Sequence, residues 1–156
     1  RLIVDANESW HDRDIAAEAA ALAALGVEMV EQPVIHGQEA RLVGVHAPLP
    51  LCADESCHTR ADLDRLGDFD AVNIKLDKAG GLTEALALAR EAKERGFRLM
   101  VGCMLGTSLG IAPAALLAQG ADWIDLDGAL LLAEDRDGGL ALCDGQLQPG
   151  PLWGMG

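Results

Sequence analysis

Short apolar runs alternate with longer amphipathic stretches along this chain. The runs stand at residues 2–4, 28–30, 51–53, 71–74, 99–101 and 123–126. Between them, residues 15–25, 38–46, 59–66, 82–95 and 108–119 carry helical spacing. The clearest helix is Thr83–Arg95: Thr83 can cap it, Leu82, Leu86, Ala89 and Ala92 give one stripe, and Gly96 stops it. Six strands alternating with helices predict βαβ units and a parallel sheet. A repeat of roughly 20 to 25 residues suits an α/β barrel or a doubly wound sheet. No linker or low-complexity stretch divides residues 1–156, which read as a single domain. The tail after Ala133, with "DRDGGL", "CDGQ" and "PGPLWGMG", is turn-rich and is expected to cover one end of the sheet. The chain opens at "RLIVDAN", already inside a strand and without a methionine, which suggests a fragment of a longer protein.

Composition narrows the classes. With 156 residues and 50% hydrophobic content the chain can bury one core. A net charge of −13 argues against nucleic-acid partners and against binding to anionic membrane surfaces, because both need a basic face. No apolar run reaches membrane-spanning length, and no signal-peptide pattern is present. Cys52, Cys57, Cys103 and Cys143 form no CxxC pair, which fits a reducing, cytoplasmic setting. Cys52 and Cys103 sit in apolar runs and read as small buried hydrophobes.

Chemistry enters at the ends of the runs. "LIVDAN" ends in Asp5, "EMVEQP" in Glu31, "LCADES" in Asp54 and Glu55, "VNIK" in Lys75, and "WIDLDG" carries Asp125 and Asp127. In parallel α/β folds the carboxyl ends of the strands are where active sites are built. Any one of these acids alone could be a turn residue or a helix cap. Three consecutive strands ending in Asp, Glu and Asp would instead gather three carboxylates at one point. Like charges brought together there repel unless a cation neutralises them, and hard oxygen ligands favour Mg²⁺ or Mn²⁺. Lys75, on the next strand, is then either a general base, with its pKa lowered by the neighbouring cation and by burial, or a structural ion pair with one of the acids. Lys78, three residues further on, competes for the base role and reads as a charge either in the loop or just behind the ligands. Period two places Asp125 and Asp127 on one strand face, either as a cation-binding pair or as a polar strand end with one capping acid.

Together these residues resemble the enolase superfamily, in its muconate-lactonizing-enzyme subgroup, and more narrowly the dipeptide epimerases of the L-Ala-D/L-Glu type. The resemblance covers the whole chain. It implies strands three to eight of a modified (β/α)7β barrel of TIM type, without the first two strands and the capping domain. "VDAN", "VEQP" and "ADES" match the family's metal ligands, making Asp5, Glu31 and Asp54 ligands of Mg²⁺, with Mn²⁺ as a substitute. Lys75 of "NIKLDKAGGLTEA" matches the catalytic lysine of the sixth strand. "DLD" matches the acidic pair that holds the substrate's ammonium group, so Asp125 and Asp127 are expected to bind substrate. "GCMLGTS" matches the seventh-strand segment that lines the pocket, which adds Cys103 and Met104. The implied activity is 1,1-proton transfer at the α-carbon of a dipeptide's C-terminal residue, through a metal-stabilised enediolate. The family's opposite-face lysine belongs to a Lys-x-Lys motif on the second strand, upstream of Arg1. The isolated chain is therefore expected to be incomplete as an epimerase. The resemblance also implies a role in recycling peptidoglycan peptides and allows a homo-oligomer.

Two other readings stand beside this one. An o-succinylbenzoate synthase or cycloisomerase of the same superfamily would have no ammonium for "DLD" to hold. A non-catalytic α/β domain could keep the carboxylates as a structural metal site. His11, His36, His46 and His58 show no metal-ligand spacing, and Ser56 and Ser108 lack a paired histidine. Trp10, after "DANES", belongs either to the pocket border or to the core.

Overall fold

Period-two alternation along six short strands decides the architecture. The computed structural model describes residues 1–148 and 150. Strands β1 (Val4–Asp5), β2 (Val30–Glu31), β3 (Leu51–Ala53), β4 (Ala71–Ile74), β5 (Arg98–Val101) and β6 (Trp123–Ile124) lie in chain order in one sheet, every neighbouring pair parallel. On the outer face Val4, Val30, Leu51, Ala53, Val72, Ile74, Leu99 and Val101 pack with the helices in the main core. On the inner face Ile3, Met29, Cys52, Ala71, Met100 and Trp123 form a second, smaller cluster at the amino-terminal ends of the strands. That cluster draws on every strand, so the sheet is curled into part of a barrel. The curl also lets the Arg1 guanidinium donate to the Asp122 carbonyl at 2.8 Å, beside the start of β6. β1 and β6 are the two edges of this sheet.

The helices are α1 (Ile15–Ala24), α2 (Leu76–Ala79), α3 (Leu82–Glu94), α4 (Ser108–Ile111) and α5 (Ala114–Ala118). Asp14 caps α1 by accepting from the Ala17 amide. Several expectations need correction. Residues 38–46 and 59–66 shrink to 3-10 turns at Glu39–Leu42 and Arg60–Arg65, the second held by a reciprocal Thr59–Asp62 capping box. The stretch 108–119 splits at Pro113, which has no N–H to carry a continuous helix. α3 starts at Leu82 after Gly81, so Thr83 lies inside the helix and is not its cap. Its buried stripe is Ala85, Leu88, Ala89 and Ala92, whereas Leu86 is 49% exposed. Ala89 and Ala92 are thus buried as expected, while Ala85 and Leu88 take the places expected of Leu82 and Leu86 on the buried side. α2 was not anticipated: the turn signal of "KAGG" masks a single helical turn, closed by Gly80 at φ +79°. Trp10 is buried in the core.

Part of the tail folds back onto the core. Leu140 and Leu147 pack against the main core, and Ala141–Cys143 (β7) pairs antiparallel with Gln146–Gln148 (β8). Of "PGPLWGMG", only Gly150 is among the described residues. Among the described residues no helix is long and apolar enough to cross a membrane.

Candidate metal and catalytic site

The inner face changes character along each strand. Below lies the apolar cluster; above it, on the same face and two residues on, come Asp5, Glu31, Asp54 and Asn73, then Lys75. Asp5, Glu31 and Asp54 each present a carboxylate oxygen, and the three oxygens lie within 4.8 Å of one another. Glu31 and Asp54 are buried, and Asp5 is exposed. Burial pushes the Glu31 carboxyl up to about 8, and the neighbouring Asp54 and Asp5 charges add to the shift. Burial also raises Asp5, with Asp54 contributing. Asp54 goes the other way: burial works to raise it, but Lys78 and Lys75 outweigh burial and hold it below the usual carboxylate range. Three hard oxygens so close together suit Mg²⁺ or Mn²⁺ and offer nothing to a thiophilic metal.

Lys75 stands directly beside this group. Its Nζ donates to Asp54 Oδ2 at 2.5 Å and lies 4.0 Å from Glu31 Oε1. Burial works to lower its pKa, but Asp54, Glu31 and Asp5 together leave it raised. The downward tuning was expected beside a bound cation; among the chain's own groups, those that face the ammonium are carboxylates, and they hold its pKa up. Lys78 corrects the loop half of its expectation and keeps the other, a charge behind the acids. It sits on α2, not in a loop, with its side chain only 9% exposed. Its Nζ donates to the Asp54 carbonyl at 2.6 Å, to the Asn73 carbonyl at 3.0 Å and to Asp54 Oδ1. All three of its protons are committed.

Two further residues escaped sequence reasoning. Asn73 Nδ2 donates to Glu31 Oε1 at 2.6 Å. It shares the inner face with Lys75, so period two could have flagged it. Gln32 has no such signal. It is fully buried, with its backbone at φ +34°. Its Oε1 accepts from the amides of Asp54 at 2.8 Å and Ser56 at 3.2 Å. Its Nε2 donates to the Val34 carbonyl at 2.8 Å and to Ser56 Oγ at 2.9 Å. Ser56 Oγ in turn donates to Glu39 Oε1 at 2.6 Å. A buried polar network thus fixes the loop that carries Asp54. Ser56 belongs to it, and Ser108 bonds Asp135, so neither serine faces a histidine.

The remaining predicted residues gather at the β6 side. β6 ends at Ile124, so "DLD" lies just past the strand, and Asp127 opens the 3-10 turn Gly128–Leu131. Asp125 keeps the strand register through its amide, which donates to the Val101 carbonyl at 2.9 Å. Leu126 turns into the core, while Asp125 and Asp127 are exposed and hydrogen-bond each other. Burial raises the Asp125 carboxyl, Asp127 raises it further, and Lys75 opposes both. Cys103 is half-buried, not fully buried as expected, and its thiol is raised by burial and by Asp125 and Asp127. Met104 is 50% exposed. The loop carrying both is pressed against Gly128, where a Cβ would lie 2.5 Å from the Met104 carbonyl and 3.0 Å from Cys103 Sγ. The fold therefore brings Asp5, Glu31, Asp54 and Lys75 into one group. Asp125, Asp127 and Cys103 flank it.

The sequence model of the family described as "Enolase C-terminal domain-like" matches residues 1–156. An N-acetyl-D-glutamate racemase of Pseudoalteromonas sp is 51% identical over 99% of this chain and 50% of its own length. The L-Ala-D/L-Glu epimerase of Escherichia coli K12 is 54% identical over 94% of this chain and 46% of its own. A crystal structure of an enolase family member from Agrobacterium tumefaciens with homology to dipeptide epimerases holds sodium and L-Ala-L-Glu. It superposes with a TM-score of 0.93 at 52% identity, covering 97% of this chain and 47% of that one. A dipeptide epimerase from Methylococcus capsulatus, complexed with Mg and L-Arg-D-Lys, gives 0.86 at 34% identity, covering 94% and 44%. The chain spans about half the length of the curated relatives it matches.

Proposed function

The chain belongs to the enolase C-terminal domain-like family, and from that premise we propose that it is the catalytic-barrel part of a Mg²⁺-dependent dipeptide epimerase of the L-Ala-D/L-Glu type. The observation that carries the reading is the convergence of three carboxylate oxygens within 4.8 Å with Lys75 bonded to one of them. Asp5, Glu31 and Asp54 hold the ion. When bound, it supplies positive charge against the negative charge that builds on the substrate carboxylate as the α-proton leaves. Lys75 Nζ takes or returns that proton on one face of the α-carbon. The opposite face needs a second acid–base group, which we place in the part of the relatives' length that this chain does not span. Asp125 and Asp127 hold the ammonium of the N-terminal residue, and Cys103 and Met104 line the pocket. The relatives and structures named for dipeptides support this assignment. We place the protein in the cytoplasm, in the recycling of peptidoglycan peptides, where its four free thiols stay reduced.

The racemase relative favours a second reading, since an N-acetylated amino acid carries no ammonium. One experiment separates the two. The purified protein and its Asp125→Asn variant are assayed in D₂O for one-face exchange of the α-proton of the glutamyl residue in L-Ala-L-Glu and L-Ala-D-Glu and in both enantiomers of N-acetyl-glutamate, with Mg²⁺ binding followed by calorimetry. The dipeptide reading expects at least a tenfold loss of exchange on the dipeptide with unchanged Mg²⁺ affinity. Exchange on N-acetyl-glutamate that survives the substitution, with none on either dipeptide by either protein, replaces it with the racemase reading.

A further inference from the structure

Asn73 sits on β4 and Glu31 on β2, two strands that are not neighbours in the sheet. Between them lies β3, on which Glu31 pairs with the small, fully buried Cys52, while Asn73 stands two residues beyond Ala71, the partner of Cys52 on β4. Across β3 the Asn73 amide reaches Glu31 Oε1 at 2.6 Å, a short charge-assisted contact. As a metal ligand Glu31 is ionised and only accepts, which sets the amide with Nδ2 toward it. The amide Oδ1 is then turned away and, in a residue only 1% exposed, has no hydrogen-bond partner among the described residues. A buried carbonyl without a donor costs about 1–3 kcal/mol. The space beyond it is kept clear by Gly102, where a Cβ would lie 2.8 Å from both amide atoms of Asn73 and 3.0 Å from Lys75 Cε. The chain thus spends stability and a side chain on holding one carboxamide against one acid.

We infer that Asn73 is a positioning residue for the metal centre: it pins one oxygen of Glu31 and so presents the carboxylate to a divalent ion in a fixed orientation. The inference rests on the reading of Asp5, Glu31 and Asp54 as metal ligands. Partners that orient ligands in this way are typically worth 10- to 100-fold in metal affinity. A packing role makes a different demand. Asn73→Leu keeps the volume, removes the donor and removes the orphaned carbonyl, so the two effects on folding oppose each other.

The test is calorimetric titration with Mg²⁺ of the wild-type protein, Asn73→Leu, Asn73→Ala and Asp54→Asn, alongside thermal unfolding in EDTA. The line shape of bound Mn²⁺ in electron paramagnetic resonance gives a spectroscopic readout of ligand order. The expected result is a 10- to 100-fold weaker Mg²⁺ affinity and a broadened Mn²⁺ signal in Asn73→Leu, with its midpoint in EDTA within about 3 °C of wild type. Should Asn73→Leu not fold, Asn73→Ala must show the same loss of affinity. Affinity within threefold of wild type in a folded Asn73 variant, while Asp54→Asn abolishes binding, overturns the inference and leaves the metal site standing. Undiminished binding by Asp54→Asn overturns the metal site itself.

Discussion

Replacing Gln32 by Leu tests whether the loop that carries Asp54 is held by one buried amide. The two side chains are close in volume, so the substitution removes hydrogen bonds and leaves little cavity. Gln32 is fully buried and serves four partners: the Asp54 and Ser56 amides, the Val34 carbonyl and Ser56 Oγ. Ser56 Oγ keeps its bond to Glu39. The other three are backbone groups left without that partner, each costing about 1–3 kcal/mol where water cannot replace it. The low end of that range for all three gives a loss of about 3 kcal/mol. Against a typical total stability of about 5–15 kcal/mol this is a large fraction. The assay is urea unfolding followed by circular dichroism. The midpoint should fall with an unchanged m-value, because the native and unfolded surfaces alter little. Ser56→Ala, which leaves Gln32 bonded to Val34 and to both amides, should lose only about 1 kcal/mol. A Gln32→Leu loss below about 1 kcal/mol would refute the reasoning, since the orphaned amides would then have found other partners.

Gly102→Ala and Gly110→Ala should move stability in opposite directions. The first forces a Cβ to within 2.8 Å of the Asn73 amide and should cost about 1–3 kcal/mol. The second adds a methyl to α4 with nothing within 4 Å and should be neutral or stabilise by up to about 1 kcal/mol, both read by thermal unfolding. Stability in EDTA should fall as pH rises from about 4.5 toward 8. Glu31 has its folded pKa raised above the unfolded value, so its contribution is complete below 4.5 and is lost as pH passes the folded value of about 8. Asp54, held below its ordinary value, contributes the opposite slope, present above 3.8 and lost on acidification. Mg²⁺ should flatten the Glu31 slope and release protons on binding, seen as a buffer-dependent enthalpy, and a flat profile in EDTA would contradict the burial of Glu31.

Much of this site could be read in the sequence because a strand speaks in period two. Each apolar run fixed a strand to within a residue or two. Asp5 and Glu31 end β1 and β2, and Asp54 and Lys75 stand one residue past β3 and β4, all on the inner face. What the alternation reports is the face, and it is silent about register. In the sheet Asp5 pairs with Glu31, Glu31 with Cys52, and Cys52 with Ala71. That register puts Ala71 level with Glu31, and the amide of Asn73, two residues on, reaches back across β3 to Glu31, a contact that no spacing along the chain encodes. Residues that act through the backbone are hidden more deeply. Gln32 works because its own main chain turns through a positive φ, which Gly would advertise and Gln does not. Lys78 works because one helical turn, closed by Gly80, lifts it back over Asp54, and the glycines that close the turn are the same residues that made the segment look like a loop. Thr83 failed as a cap for a related reason: Gly81 at φ +125° already redirects the chain, so the helix starts one residue early. The carboxylates proposed to bind metal are legible because strand geometry puts them in place. The groups that orient them come from non-adjacent strands, turns and one-turn helices, where the chain has no period to read.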